Sequence, residues 1–259
     1  MSNAAIELDP QSRGDVDRPP LLLLHALGSS LAMWDAQVAA LEPYFHLVRY
    51  SLRGHGASAR AGVEESDIAA LAADACAVLD RLGIERAHWC GLSLGGMVAM
   101  RAAIHTPGRV DRLVLANTAA HMPPAAAWSE RMALVRHGGM EPLAEPTMAR
   151  WFTPAFRQRA PCEVGRIRKL FLGTDPASYA AACAAIRDLD LRADLARIGA
   201  PTLLLAGAHD AGVPPARMAE MQAAICGARL VTLDAAHLSN IEACAEFTAA
   251  LCTHLGVSP

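Results

Sequence analysis

Three side chains stand out as a possible reaction centre: Ser93, Asp210 and His237. Ser93 lies in Gly91-Leu92-Ser93-Leu94-Gly95. An apolar run, His88-Trp89-Cys90, precedes it, and a small-residue helical stretch, Gly96–Ala103, comes after. A strand running straight into a helix must turn sharply. Glycines two before and two after the turning residue let the two elements approach closely, and the serine hydroxyl then projects at the top of a sheet. The new helix also leaves free N–H groups beside it, which suits a developing negative charge. The bare pattern has roughly a one-in-ten chance of arising by accident in a chain of this length. Its weight therefore depends on partners.

A serine hydroxyl is a weak nucleophile near neutral pH. It needs a base within hydrogen-bond reach, and the base needs an anion that fixes its tautomer. His237 comes after the last expected strand, in Asp234-Ala235-Ala236-His237, and Asp210 after the strand before it, in Gly207-Ala208-His209-Asp210. The chain order serine, acid, histidine fits a sheet enzyme of this kind. His209 and His55 are rival bases: the first adjoins Asp210, the second sits in a glycine loop that reads as structural. Asp234 is a rival acid, or a turn cap. Two backbone donors would hold an oxyanion: Leu94, next to the serine, and Leu27, on the loop after the first apolar strand.

The elements that must position these groups alternate. Leu21–Leu24 reads as a buried parallel strand. Further strands are expected at Phe45–Tyr50, Ala87–Cys90, Arg112–Asn117, Pro201–Ala206 and Arg229–Leu233. Helical spacing covers Met33–Leu41, Ile68–Leu82 (closed by Gly83), Ala216–Ile225 and Ile241–Leu255. Residues 1–20 form a polar lead-in with one short edge strand expected near Ala5–Leu8, so an incomplete opening hairpin is expected. Between Thr118 and Ala200 helical stretches broken by prolines replace the alternation. That stretch is too long for a plain loop and reads as a helical cap, 118–200, inserted in a core of 1–117 and 201–259. The predicted class is α/β, a mostly parallel sheet flanked by helices. Sites in such sheets lie at the carboxyl ends of strands, where every candidate above falls.

Bulk properties narrow the function. At 259 residues the chain can bury a large core, and its net charge of −3 comes without a basic run, so nucleic acid is not an expected partner. No apolar run approaches about 20 residues, so no membrane span is expected. The N-terminus lacks the features of a signal peptide, which makes cytoplasm the expected location. Seven scattered cysteines without a CxxC argue against a disulfide frame or a zinc site. No cofactor is expected. The 118–200 stretch carries eleven Lys and Arg against eight Asp and Glu, while the whole chain is negative. A relatively positive cap would draw a carboxylate-bearing substrate, although solvated helix faces would show the same balance. Trp128, Arg131, Arg150 and Trp151 are candidate pocket residues; Trp128 and Arg131, three apart, share a helix face.

Taken together, Leu24-His25-Ala26-Leu27-Gly28, Arg53-Gly54-His55-Gly56, Gly91–Gly96, Ala206–Asp210 and Asp234–His237 resemble the α/β-hydrolase family from about Leu21 to the C-terminus. Finer strings resemble its 3-oxoadipate enol-lactonases: Met33–Gln37, Gly83–His88, Leu115–Ala119, Arg150–Thr153 and His237–Glu242. The resemblance implies a cofactor-free serine hydrolase of a small lactone in aromatic-compound breakdown. A carboxylesterase, another lactonase, a carbon–carbon bond hydrolase, or a non-catalytic binder on the same fold are the alternatives. Two positions depart from the pattern. Ser51 stands where the family usually has an aspartate, which predicts that a structural hydrogen bond is lost or altered. His25 replaces a small polar residue of the lactonases and resembles general esterases.

Overall fold

The computed structural model describes residues 8–58 and 67–258. Among them, seven strands form one sheet: β1 Gln11–Arg13, β2 Pro20–Leu24, β3 His46–Arg49, β4 Ala87–Leu92, β5 Val110–Ala116, β6 Thr202–Gly207 and β7 Arg229–Leu233. Their order is β1-β3-β2-β4-β5-β6-β7, and every pairing is parallel except β1 with β3. The four leucines of β2 are fully buried. Both faces of a parallel sheet are covered by crossovers, which is why its central strands read as continuous apolar runs. The strand expected near Ala5–Leu8 lies almost wholly outside the described residues. The observed edge strand, β1, is three residues of polar type and pairs with β3 rather than β2.

The core helices are α1 Asp35–Leu41, α2 Ile68–Arg81, α3 Leu94–His105, α9 Pro215–Ala224, α10 Ser239–Glu242 and α11 Cys244–Leu255. The chain steps one way from β2 to β3 and the other way from β3 through β4, β5, β6 and β7. Right-handed crossovers then place α1 on one face and α2, α3 and α9 on the other; α1 packs on α11, and α2 on α3. The reversal leaves a crevice beyond the carboxyl ends of β2 and β4, where such sheets bind ligands. Two expected helices are subdivided. Leu31–Trp34 is a 3₁₀ turn leading into α1, and the C-terminal helix is broken at Ala243 (φ −117°, ψ 52°).

Between β5 and β6 lie five helices: α4 Ala125–Gly138, α5 Glu141–Trp151, α6 Pro154–Arg159, α7 Pro161–Leu172 and α8 Pro176–Arg187. The prolines at 154, 161 and 176 open helices rather than break them. Proline suits a first helical position, where its missing N–H has no partner to lose. Helices α4 and α8 pack together, as do α5 and α7.

Candidate active site

Ser93 is the residue at which β4 becomes α3. Its backbone is at φ 57°, ψ −116°, a sparsely populated region for a side chain other than glycine. Close packing holds it there. A Cβ on Gly91 would lie 2.2 Å from the Gly95 carbonyl oxygen, and one on Gly95 would lie 2.2 Å from that of Leu24. The Ser93 N–H donates to the Ala116 carbonyl at 2.9 Å, and the Thr118 hydroxyl donates to the Ser93 carbonyl at 2.7 Å. The turn is thus braced from β5. The Leu94 and Leu27 amides make no hydrogen bond among the described residues, and Leu27 and Ser93 line the same cavity.

The loop carrying Leu27 is set by two buried histidines. The Leu52 N–H donates to His25 Nε2 at 2.8 Å, and the Gly28 N–H donates to His55 Nε2 at 3.1 Å. Both rings act as acceptors, so both are neutral. Burial, reinforced by the neighbouring His55 ring, lowers His25 to about 3; burial lowers His55 to about 4. The rings lie 5.3 Å apart. These histidines brace backbone, and His55 is far from the role of a base. The Ser51 hydroxyl accepts from the Leu31 N–H at 3.3 Å.

His237 Nδ1 lies 2.7 Å from Asp210 Oδ2. Asp234, the rival acid, instead pairs with His209 at 2.7 Å on the exposed surface. The Asp210 carboxylate is fully enclosed. Asn117 Nδ2 donates to Oδ2 at 2.9 Å, and the Gly212 and Val213 amides donate to Oδ1, each at 2.9 Å. Burial alone would raise this carboxyl. The charge of His237 and the hydrogen bonds from His237, Val213 and Asn117 outweigh it, and the group is held below its ordinary value. The carboxylate can therefore fix Nδ1–H on the ring and leave Nε2 as the acceptor on the cavity side.

Two further residues act on this pair; both fall in strings that carry the lactonase resemblance, Leu115–Ala119 and His237–Glu242, but the sequence assigns neither a role. Asn117, at φ 44° and fully buried, reaches three ways. Besides Asp210 it donates to the Ala236 carbonyl at 3.3 Å and accepts from the Ser239 hydroxyl at 2.6 Å, so it grips both sides of His237. Asparagine tolerates positive φ better than other residues, and its place at the end of β5 is the signal that could have found it. Glu242 is buried on α10. Its carboxylate accepts from the Ala236 N–H at 3.0 Å and from the Thr153 N–H and hydroxyl. It ties the histidine loop to the start of α6. Nothing in its spacing separates it from an ordinary helix acid.

The cavity above Ser93 has a volume of about 280 Å³. Ser93, His237 and Asp210 lie on its floor side, and Trp128, Arg131, Arg150 and Trp151 are all in its wall, with Met97, Met122, Val213 and Ile186 supplying apolar surface. Trp128 and Arg131 do share a face of α4: the guanidinium lies over the indole, 5.8 Å from the ring centre. The basic residues of α7, of the end of α8 and of the segment after it are mostly paired, as in Arg166–Glu163, Arg168–Glu141, Arg187–Asp188 and Arg192–Asp190. Arg131 and Arg150 have no carboxylate partner among the described residues; their hydrogen bonds go to Tyr179 and Thr147. Among the described residues no cluster of His, Cys, Asp or Glu is placed to hold a metal ion, and no helix is long and apolar enough to cross a membrane.

Known proteins are similar to this chain in sequence and fold. A family model for the alpha/beta hydrolase fold matches residues 19–138. The chain is 37% identical to 3-oxoadipate enol-lactonase 2 of Acinetobacter baylyi, over 92% of this chain and 88% of that protein. Among solved structures, the enol-lactonase from Burkholderia xenovorans LB400 superposes with a TM-score of 0.95 at 38% identity, covering 98% of both chains. A thermophilic esterase from Thermogutta terrifontis, solved with malate bound, gives a TM-score of 0.91 at 30% identity, covering 97% of this chain and 93% of that one. The strand order, the strained serine between β4 and α3, and relatives matched over nearly their whole length lead to one conclusion: the chain belongs to the α/β-hydrolase fold family.

Proposed function

We propose that this protein is a serine hydrolase that opens a small lactone bearing a carboxylate, with 3-oxoadipate enol-lactone as its substrate, in the breakdown of aromatic compounds. One observation carries the reading: a single cavity joins Ser93 and His237 to two arginines, Arg131 and Arg150, that lack carboxylate partners among the described residues. The similarity to enol-lactonases supports the choice of substrate. In this reading residues 118–200 are a cap that supplies the recognition wall, and 1–117 with 201–259 are the catalytic core.

In this reading Ser93, His237 and the two free amides act in sequence. His237 Nε2 takes the Ser93 proton as Oγ attacks the lactone carbonyl. The oxyanion rests on the Leu94 and Leu27 amides, which have no competing acceptor. As the intermediate collapses, the ring C–O bond breaks and His237 returns the proton to the departing enol oxygen. That oxygen stays tethered to the acyl group because the ester was cyclic. Water then attacks the acyl-enzyme, giving its proton to His237, and Ser93 Oγ leaves with that proton. The released enol rearranges to the ketone.

The test is turnover of 3-oxoadipate enol-lactone against neutral esters of similar size, with Ser93→Ala as control. A preference for the lactone is expected, and Ser93→Ala abolishes both activities. Faster turnover of neutral esters overturns the substrate and leaves the serine mechanism. Equal activity of wild type and Ser93→Ala overturns the mechanism. A carboxylesterase acting on open-chain esters is the second reading. It is favoured by His25, the residue that departs from the lactonase pattern, although its ring is committed to the Leu52 amide.

A further inference from the structure

Arg131 and Arg150 differ in how they are held. Arg150 is exposed, and its contact with the Thr147 hydroxyl is 3.3 Å long. Arg131 is half-buried and fixed on two sides. Its Nη1–H donates to the Tyr179 hydroxyl at 2.9 Å, and its guanidinium carbon lies 5.8 Å from the centre of the Trp128 ring. Trp128 is itself anchored, donating its indole N–H to the Met122 carbonyl at 2.8 Å.

Tyr179 comes from α8 and is 1% exposed. Its ring edge lies against the loop that carries Leu27. A Cβ on Gly28, which sits at φ +72°, would come within 2.9 Å of Tyr179 Cε2 and 2.8 Å of Phe171 Cδ2. Phe171 meets Tyr179 edge-on at 5.7 Å and borders Gly28 beside it. The hydroxyl accepts from Arg131, and burial keeps the phenol protonated. One rigid side chain therefore spans from the oxyanion loop to the fixed guanidinium.

We propose that Tyr179 is a spacer: its ring rests on the oxyanion loop at Gly28 while its hydroxyl holds Arg131, so this side chain sets which separation between scissile carbonyl and substrate carboxylate is accepted. The proposal rests on the reading of Ser93 as nucleophile and of the cavity as a site for anionic substrates. It makes Tyr179 a positioning residue for specificity. A substrate whose carboxylate is one methylene too near or too far would lose its bond to Arg131, because neither end of the spacer can shift. A loosely held arginine, like Arg150, would follow the carboxylate and give little length preference.

The experiment uses monomethyl esters of succinic, glutaric, adipic and pimelic acids, with methyl esters of the matching monocarboxylic acids as neutral references. Wild type, Tyr179→Phe, Arg131→Met and Ser93→Ala are compared in a pH-stat. Phenylalanine keeps the ring on Gly28 and removes the hydroxyl alone. Wild type is expected to favour half-esters over neutral esters, with one preferred length. Arg131→Met removes that advantage. Tyr179→Phe lowers the half-ester to neutral-ester ratio of kcat/KM by about tenfold, the worth of a hydrogen bond to a charged group, and spreads the preference over adjacent lengths. General loss of structure would lower both substrate classes and leave the ratio in place. An unchanged ratio and length optimum in Tyr179→Phe, with Arg131→Met impaired, overturns the spacer alone. No half-ester preference in wild type overturns the anionic-substrate reading and the spacer with it. Turnover by Ser93→Ala overturns the nucleophile.

Discussion

Asp210→Asn is a change of one atom whose consequence can be worked through the hydrogen bonds around it. Oδ1 accepts from the Gly212 and Val213 amides, and Oδ2 faces His237 Nδ1 and Asn117 Nδ2. The new amide must place its oxygen at the Oδ1 position, since an NH₂ group there would oppose two backbone donors. Its NH₂ group then points at His237 Nδ1. That ring nitrogen must become an acceptor, which moves the proton to Nε2, the atom that has to accept from Ser93. The imidazole is left in the wrong tautomer with its position intact. The Asn117 amide can turn over, since the Ser239 hydroxyl can accept as well as donate, so folding is retained at the loss of the Ala236 contact. The expected loss is about 10⁴ in kcat, or about 5 kcal/mol of barrier, with KM little changed. Asp234→Asn, at an exposed pair with His209, changes kcat by less than about threefold. Steady-state hydrolysis of a neutral aryl ester measures both, with circular dichroism to check the fold. If Asp210→Asn stays within about tenfold of wild type, or Asp234→Asn proves the more damaging, the tautomer is not what Asp210 controls.

Other predictions come from groups that touch no substrate. Asn117→Ala removes the side chain that grips Asp210, Ala236 and Ser239, and lowers kcat by about 10- to 100-fold at little change in KM; a larger effect on KM than on kcat would refute the positioning role. Glu242→Leu leaves the Ala236 and Thr153 amides without their acceptor, and denaturant unfolding should show a loss of about 2–4 kcal/mol. Stability also depends on pH through His25 and His55. Their folded pKa values are lowered from 6.5 to about 3 and about 4, so the unfolded chain takes up these protons first. The contribution is complete above pH 6.5 and is lost on acidification, at about 1.4 kcal/mol per pH unit for each ring, until the folded forms titrate. Urea midpoints from about pH 7 to about pH 5 track this slope, and His55→Gln, which keeps an acceptor for Gly28, removes about half of it. A slope unaffected by His55→Gln would refute the assignment.

Much of this site was legible before folding because its principal groups terminate buried strands. Four successive leucines in β2, or the run ahead of Ser93, mark a strand by apolarity alone, and the residues just after a parallel strand lie at the ligand face. Chain order then ranked Asp210 over Asp234, and the structure gives the physical difference: one carboxylate is enclosed by four donors, the other faces water. Asn117 and Glu242 escaped notice because their partners include backbone atoms 119 and 89 residues away in the chain. No local pattern encodes such a bond. Strand β1 escaped for a different reason, since an edge strand needs no apolar face and three polar residues carry no periodicity. The five helices between β5 and β6 were visible as a class, but their pairing depends on contacts such as α4 with α8 that spacing does not specify.

The Glu242 carboxylate has a bearing on how this scaffold could acquire new substrates. It bonds the backbone beside His237 to the residue that starts α6, so one corner of the segment between β5 and β6 is tied to the loop that carries His237. Recombination that exchanged the whole of 118–200 would break that link unless the donor carried a threonine, or an equivalent pair of donors, at position 153. Exchange confined to α4, or to α7 and α8, would leave it whole. Drift in recognition can therefore proceed in modules on either side of Thr153, while the three residues from Trp151 to Thr153 travel with the hydrolytic machinery as part of its inheritance.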